Sequence, residues 1–150
     1  MSLDGRIVRE AADAIIAADT SGKITLWNAG AERLFGYPEA EAVSQSLDMI
    51  IPEAQQKRHW DGYHHVMQTG ETRYGTRVLR VPGVRKDGTR ISIAFTVGLL
   101  KDAGGRVEGI VAILRDDTDR WETERELRKR LAVLEQAAGR SKSLFDGGGR

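Results

Sequence analysis

The segment RKDGTRISIAF, residues 85–95, joins a charged turn to an alternating run of side chains. Its Asp-Gly pair at 87–88 favours a hairpin turn, because glycine readily adopts the positive φ that such a turn needs. Beyond the turn, Ile91, Ile93 and Phe95 project to one side of an extended chain, and the residues between them project to the other. The segment therefore predicts strands of an antiparallel sheet.

Patterns on either side of this hairpin predict helices and further strands. Apolar spacings of three and four residues mark the helices, and runs bounded by turn residues mark the strands. The order of the predicted elements is two strands, a helical segment and then three consecutive strands. This order predicts an α+β fold, with one antiparallel sheet and helices over one face. In chain order the predicted elements are helix 1–13, strands 14–18 and 23–27, helices 29–35 and 53–68, strands 74–81, 89–100 and 107–115, and helix 119–138.

The composition excludes several classes of protein. The chain has 150 residues, 40% of them hydrophobic and 30% charged, which predicts one soluble domain with flanking helices. Its net charge of +1 gives no electrostatic reason to expect direct contact with nucleic acid or a membrane. The absence of cysteine excludes disulfides, thiolate metal sites and iron–sulfur clusters. No run of 18 apolar residues and no signal-peptide core occur, so we expect a cytoplasmic protein.

Two further segments stand at informative distances from the hairpin. DTSGKITLWNAGAERLFGYPEAEAV covers residues 19–43, and GIVAILRDDTDR covers residues 109–120. Together the three segments resemble the PAS family, the sensory domains of bacterial histidine kinases and regulators, over roughly residues 9–120. This resemblance implies a PAS fold, a five-stranded antiparallel sheet in the order 2-1-5-4-3 with helices over one face. The predicted organisation is a flanking helix over 1–13, the PAS domain over 14–118, a signalling helix over 119–138 and a disordered tail over 139–150.

In PAS domains, ligands lie between the sheet and the helix that is predicted here over residues 53–68. The resemblance therefore implies a candidate pocket between that helix and one face of the sheet. The sequence does not determine which side chains of each strand face this pocket, because a shift of one residue in the strand pairing moves every side chain to the opposite face. A packed core that holds no ligand is the alternative. The candidate pocket residues are Trp60, Tyr63, Met67, Val78, Arg80, Ile93, Phe95, Val97 and Ile113.

Haem and flavin are the cofactors that the resemblance raises, and neither is favoured. Haem-bearing PAS domains place the proximal histidine three residues before a tyrosine; here Tyr63 matches the tyrosine, but Trp60 stands at the histidine position. Arg80 falls where that subgroup keeps a distal arginine, and a shifted register could bring in His59 or His64. Light-sensing PAS domains use a cysteine that this chain lacks, which leaves non-covalent flavin. The histidines on this helix lack the spacing of a metal site.

The last predicted helix carries a short heptad pattern. Leu127, Leu131 and Leu134 follow one another by four and three residues, the spacing of a coiled-coil seam. This predicts a homodimer or a signalling helix, and an amphipathic helix that packs on its own domain is the alternative. Just before the helix, Asp116 and Thr118 match the D-x-T motif at the junction between the last PAS strand and its output helix. The resemblance implies that these two residues relay the signal.

The resemblance implies a sensory PAS domain of bacterial signal transduction. It would bind a small molecule or a partner and pass the signal through its last helix to an output domain or a dimer partner. The alternatives are a ligand-free dimerisation or interaction module and, with less support, a haem- or flavin-based oxygen or redox sensor. No catalytic motif occurs, so we expect no enzymatic activity in this chain. The expected parent protein is a histidine kinase, a cyclase or a transcription regulator.

Overall fold

The computed structural model describes residues 1–72 and 74–147. The chain forms two compact units, one from Met1 to Asp117 and one that begins at Thr118. The strands are β1 (Ala14–Asp19), β2 (Ile24–Trp27), β3 (Leu79–Val84), β4 (Arg90–Lys101) and β5 (Val107–Asp116). The helices are α1 (Leu3–Glu10), α2 (Ala29–Phe35), α3 (Glu39–Ala42), a 3-10 helix (Leu47–Ile50), α4 (Glu53–Thr69) and α5 (Thr118–Gly147). Among these described helices, none has both the length and the apolar character that crossing a membrane requires.

The strands form one antiparallel sheet in the order β2-β1-β5-β4-β3, which confirms the predicted fold. The segment 85–95 contains the β3–β4 turn, as its Asp-Gly pair predicts. Gly88 has a φ of 87° in this turn. The Thr89 N–H donates a hydrogen bond to the Asp87 carboxylate at 2.9 Å. Local turn chemistry therefore closes the hairpin.

The core lies on one face of the sheet, which we call the inner face. Residues directly opposite each other on paired strands share a face. Ile16 of β1 lies opposite Trp27 of β2 and Ala112 of β5, and all three take part in the core. Helix α2 adds Leu34 and the fully buried Phe35 to it. Burial of these apolar side chains is the main source of stability for this unit.

One buried polar residue, Asn28, joins α1, β1 and α2. Its side-chain oxygen accepts hydrogen bonds from the N–H groups of Ile15 at 2.8 Å and Ala31 at 2.9 Å, and so caps the start of α2. Its side-chain NH2 group donates to the carbonyl oxygens of Val8 at 2.8 Å and Asp13 at 3.1 Å. A single side chain therefore fixes where three elements meet.

Two element boundaries differ from the sequence prediction for local reasons. Helix α1 ends at Glu10 rather than at residue 13, and the carbonyl of Val8 bonds to Asn28 instead of continuing the helix. Strand β3 is displaced toward the hairpin and includes Pro82. Because β3 is the edge strand of the sheet, proline can occupy it without removing a hydrogen bond that a second neighbour would need.

Helix α5 is longer than predicted. The predicted end is residue 138, but the helix continues to Gly147. The predicted disordered tail over 139–150 is therefore helical as far as Gly147, and residues 148–150 lie outside the described residues. The glycine at 139 does not end the helix, because one glycine in a helix interior costs only about 1 kcal/mol.

Candidate ligand-binding site

The inner face of the sheet is covered unevenly. On the β1–β2 side, Ala18 and Ile24 are only 2% and 1% exposed. In the same cross-strand row, Ile110 of β5 and Leu99 of β4 are half-buried. The part of the inner face that the helices leave incompletely covered therefore lies toward β4 and β3.

This part of the sheet is the candidate ligand-binding site, and we call it the inner-face floor. It consists of Leu79, Phe95, Val97 and Leu99. Leu79 lies opposite Phe95, and Phe95 lies opposite Leu114, which belongs to the core, so all three share the inner face. Val97 and Leu99 follow at alternate positions of β4 and share that face too. All four floor residues are apolar and half-buried, a surface that suits a small apolar or aromatic molecule.

Helix α4 packs against the core through few side chains. Of its residues, all of which are described, only Tyr63 is buried, at 6% exposed. Trp60 and Met67 are half-buried against the same core. Gly70, with a φ of 67°, ends the helix in the left-handed conformation. This sparse packing explains why the inner-face floor is only half-covered.

Two aromatic residues of α4 hold it to the turn between β1 and β2 and to the 3-10 helix. The Tyr63 hydroxyl donates a hydrogen bond to the main-chain carbonyl of Asp19. The Trp60 indole N–H donates to the Asp48 carboxylate at 2.6 Å. The Trp60 ring also lies against Gly22, where an added Cβ would come within 2.0 Å of the indole. The structure thus assigns these two predicted pocket residues an anchoring contact each.

The anchoring hydroxyl of Tyr63 keeps its proton over a wide pH range. Burial, with a smaller contribution from the nearby Asp19 carboxylate, raises the pKa of Tyr63 to about 12. The phenol therefore stays protonated at neutral pH and keeps the hydrogen that it donates to the Asp19 carbonyl. The Asp19 carboxylate, in turn, accepts hydrogen bonds from Ser21 Oγ at 2.7 Å and from the Ser21 N–H at 2.9 Å. The Ser21 hydroxyl is the largest cause of the lowered pKa of Asp19.

His59 is the histidine of α4 that lies among the anchoring aromatic rings. Its ring centroid is 4.7 Å from that of Trp60 and 5.7 Å from that of Tyr63. Its Nδ1 is buried and has no hydrogen-bond partner, and burial lowers the pKa of the imidazole. His64 and His65 are exposed. In residues 1–72 and 74–147, no three side chains of the types His, Asp and Glu are grouped as a metal site requires.

The residues around His59 do not fit a haem. A haem would need an interior histidine and space for the porphyrin beside it. His59 is half-buried, but the two rings beside it, those of Trp60 and Tyr63, pack against the core and are held by hydrogen bonds to Asp48 and Asp19. The Trp60 ring, the aromatic surface that a flavin could stack on, already lies against Gly22 and near the rings of Tyr63 and His64, whose centroids are 5.3 Å and 6.0 Å away.

Three predicted pocket residues lie away from the inner-face floor. Ile113 is 44% exposed on the opposite, outer face, because it alternates with core residues of β5. Val78 precedes β3 and is 53% exposed. Arg80 follows Leu79 in β3 and therefore lies on the outer face. These three are removed from the candidate pocket. Of the predicted strand residues, those on the inner face are Ile93, Phe95 and Val97.

Arg80 connects β3 to the end of β5. Its Nε lies 3.1 Å from Oδ2 of Asp117, whose side chain is only 13% exposed. The Asp117 N–H donates to the Ser92 carbonyl at 2.8 Å. The residue directly before α5 is therefore held by both β3 and β4. The sequence pointed to Asp116 and Thr118 at this junction and missed Asp117, because its ion pair joins residues 37 positions apart and leaves no local pattern.

Helix α5, considered by itself, presents the predicted seam at its surface. Leu127, Leu131 and Leu134 are 56%, 56% and 66% exposed. Exposure of three leucines on one helical face is unusual for a helix without a partner. The homodimer that this seam predicts stays a prediction.

Comparison with known proteins places this geometry in a family. The family model described as PAS fold matches residues 4–116. The chain is 32% identical over 118 residues to sensor protein FixL of Bradyrhizobium diazoefficiens, covering 78% of this chain and 23% of that protein. It is 32% identical over 137 residues to the signal transduction histidine-protein kinase AtoS of Escherichia coli, covering 89% of this chain and 21% of that protein. The chain spans about a fifth of the length of these relatives.

Solved structures include the same fold. The crystal structure of the PAS domain of a protein from Colwellia psychrerythraea matches with a TM-score of 0.68 and 22% identity. The match covers 77% of this chain and 95% of that domain. At this identity, the likeness concerns the fold alone.

Proposed function

Because this chain belongs to the PAS family, we propose that it is a ligand-binding sensor domain of bacterial signal transduction. The PAS domain is a sensory, non-catalytic module, and the two curated relatives are a sensor protein and a signal transduction histidine kinase. Catalysis would lie in an output domain such as a histidine kinase. The signal would reach that domain, or a dimer partner, through α5.

The observation that carries this proposal is the half-covered inner-face floor. Leu79, Val97 and Leu99 are apolar, share one face of the sheet and are only half-buried. Met67 of α4 is also half-buried. A small molecule that lies on this floor beside α4 would complete the burial of these side chains, which favours an apolar ligand.

The signal would leave the inner-face floor through two neighbouring residues of β3. Leu79 belongs to the floor, and Arg80 reaches Asp117 from the other face. A ligand that displaces Leu79 would also move the ion pair of Arg80. Since Asp117 directly precedes α5, such a ligand would favour one pose of that helix over another. In this proposal Asp116 and Thr118, on either side of Asp117, belong to the same relay.

The output side of the proposal is a homodimer through α5. Leu127, Leu131 and Leu134 are exposed in one chain and would be buried when two helices pair along the seam. The same exposure favours a second candidate function, a ligand-free dimerisation module. The two functions differ in whether the inner-face floor binds a ligand.

An uncharged apolar dye, N-phenyl-1-naphthylamine, distinguishes the two functions, because its fluorescence rises when it leaves water. We expect saturable binding to the wild-type protein. In Val97→Arg we expect about tenfold weaker binding, because the substitution places a charge in the apolar floor that the dye must cover. Fluorescence titrations at pH 7 measure both dissociation constants.

Ile113→Arg is the matched control for this titration. It adds the same charge on the neighbouring strand but on the outer face of the sheet, so dye binding should equal that of the wild type. Circular dichroism melts verify that both variants are folded. If both variants lost binding equally, or the wild type showed no saturable binding, the ligand-binding function would be wrong.

A further inference from the structure

The seam of α5 changes character partway along the helix. Its positions can be followed backward from the leucines by the same alternation of three and four residues. The two positions nearest the start of the helix are charged, and the next four are apolar. In chain order the seam positions are Arg120, Glu124, Leu127, Leu131, Leu134 and Ala138.

The two charged seam positions pair with each other within one chain. Arg120 Nε lies 3.2 Å from Glu124 Oε1, one helical turn further along. Their side chains are 60% and 43% exposed, so both charges are also in contact with water. Enclosing them between two helices would remove that water, and an ion pair seldom compensates fully for such desolvation. The start of α5 is therefore unfavourable as part of a dry helix–helix contact.

The apolar part of the seam fits a second copy of this chain. A symmetric pair brings the same surface of both copies together, and a row of leucines is complementary to itself. The positions beside the seam carry both signs: Arg128 and Arg130 on one turn and Glu135 on the next. Each helix can therefore offer an arginine to a glutamate of the other. From Leu127 to Ala138 the apolar seam extends about 17 Å at 1.5 Å per residue.

We propose that the dimer contact of α5 begins at Leu127 and that Arg120 and Glu124 keep residues 118–126 out of it. This inference rests on the proposed homodimer and adds its boundary. The excluded segment is about 13 Å of helix between Asp117 and the contact. No packing between the two copies fixes this segment, so it is the part of α5 whose pose the PAS domain can change without separating the dimer.

The double variant Arg120→Leu/Glu124→Leu tests the boundary. It makes the two charged seam positions apolar and so extends the seam by one heptad toward the start of α5. We expect the dissociation constant of the dimer to fall by about tenfold or more, because four additional leucine side chains per dimer become buried. Sedimentation velocity over a concentration series of the full chain measures it.

The control variant is Glu122→Leu/Lys129→Leu, which also exchanges two charged residues for leucine. Both positions lie on the helix face opposite the seam, so the dissociation constant should not change. If the seam variant bound no more tightly than this control, the proposed boundary would be wrong. Leu131→Asp tests the homodimer itself and should give monomers. If the boundary test fails but Leu131→Asp is monomeric, the boundary is wrong and the homodimer still stands. If Leu131→Asp remains dimeric, both the homodimer through this seam and its boundary are wrong.

Discussion

Replacing Asn28 with alanine is expected to lower the free energy of unfolding by about 3–5 kcal/mol. The side chain is 4% exposed and makes four hydrogen bonds. Alanine would leave the N–H groups of Ile15 and Ala31 without an acceptor and the carbonyls of Val8 and Asp13 without this donor. Each buried polar group that loses its partner costs about 1–3 kcal/mol, so the loss exceeds that of an ordinary helix cap.

Urea denaturation followed by tryptophan fluorescence measures this loss. Ser46→Ala is the control, because Ser46 also accepts a helix-capping hydrogen bond, from the Asp48 N–H at 3.1 Å, but at an exposed site. The control should lose about 1 kcal/mol or less. Equal, small losses in both variants would contradict the conclusion that Asn28 joins three elements.

Gly30→Ala is expected to destabilise the domain by about 3 kcal/mol, although glycine-to-alanine changes usually stabilise helices. An added Cβ at Gly30 would lie 2.2 Å from the carbonyl oxygen of Asp13 and 2.8 Å from that of Ala12. Both are main-chain atoms, which cannot turn away as a flexible side chain can. Moving Asp13 would also disturb its hydrogen bond with Asn28. Glycine is therefore needed where α2 meets the start of β1.

Gly62→Ala is the matched control within the same domain. Gly62 lies in α4, and no heavy atom outside the local helix lies within 4 Å of an added Cβ. There we expect a gain of about 0.5–1 kcal/mol, the ordinary helix propensity effect. Urea denaturation of both variants shows whether each substitution raises or lowers the free energy of unfolding. If Gly30→Ala also raised the free energy of unfolding, α2 would have to move away from β1 readily, which would contradict the close packing described above.

The sheet was predictable because its signals are local. The Asp-Gly pair at 87–88 and the alternation after it identify the β3–β4 hairpin from a few consecutive residues. The order of the strands could not be predicted from periodicity, which does not indicate which strands pair. The expected order 2-1-5-4-3 came from the family resemblance. The helix over 29–35 was predicted, but the bonds of Asn28 to Val8 and Asp13 depend on how α1 folds back, which no local pattern encodes.

The candidate site was less predictable, because strand register and contacts between distant residues determine which side chains lie in it. Ile113 looked equivalent to its neighbours in β5, and only the register of the sheet places it on the outer face. Tyr63 was recognised as an inward residue of α4, but its bond to Asp19 joins positions 44 residues apart. Arg80 was assigned to the pocket for the same reason, because its ion pair with Asp117 also joins residues that are far apart in the sequence.

Amide hydrogen exchange of residues 118–126, with and without bound N-phenyl-1-naphthylamine, measures whether the inner-face floor communicates with α5. We predict that the dye changes the exchange of this segment in the wild type. In Arg80→Gln, which loses the ion pair to Asp117, the dye should still bind but the change in exchange should be lost or strongly reduced. Saturable dye binding that leaves the exchange of residues 118–126 in the wild type unchanged would contradict a sensor that signals through α5.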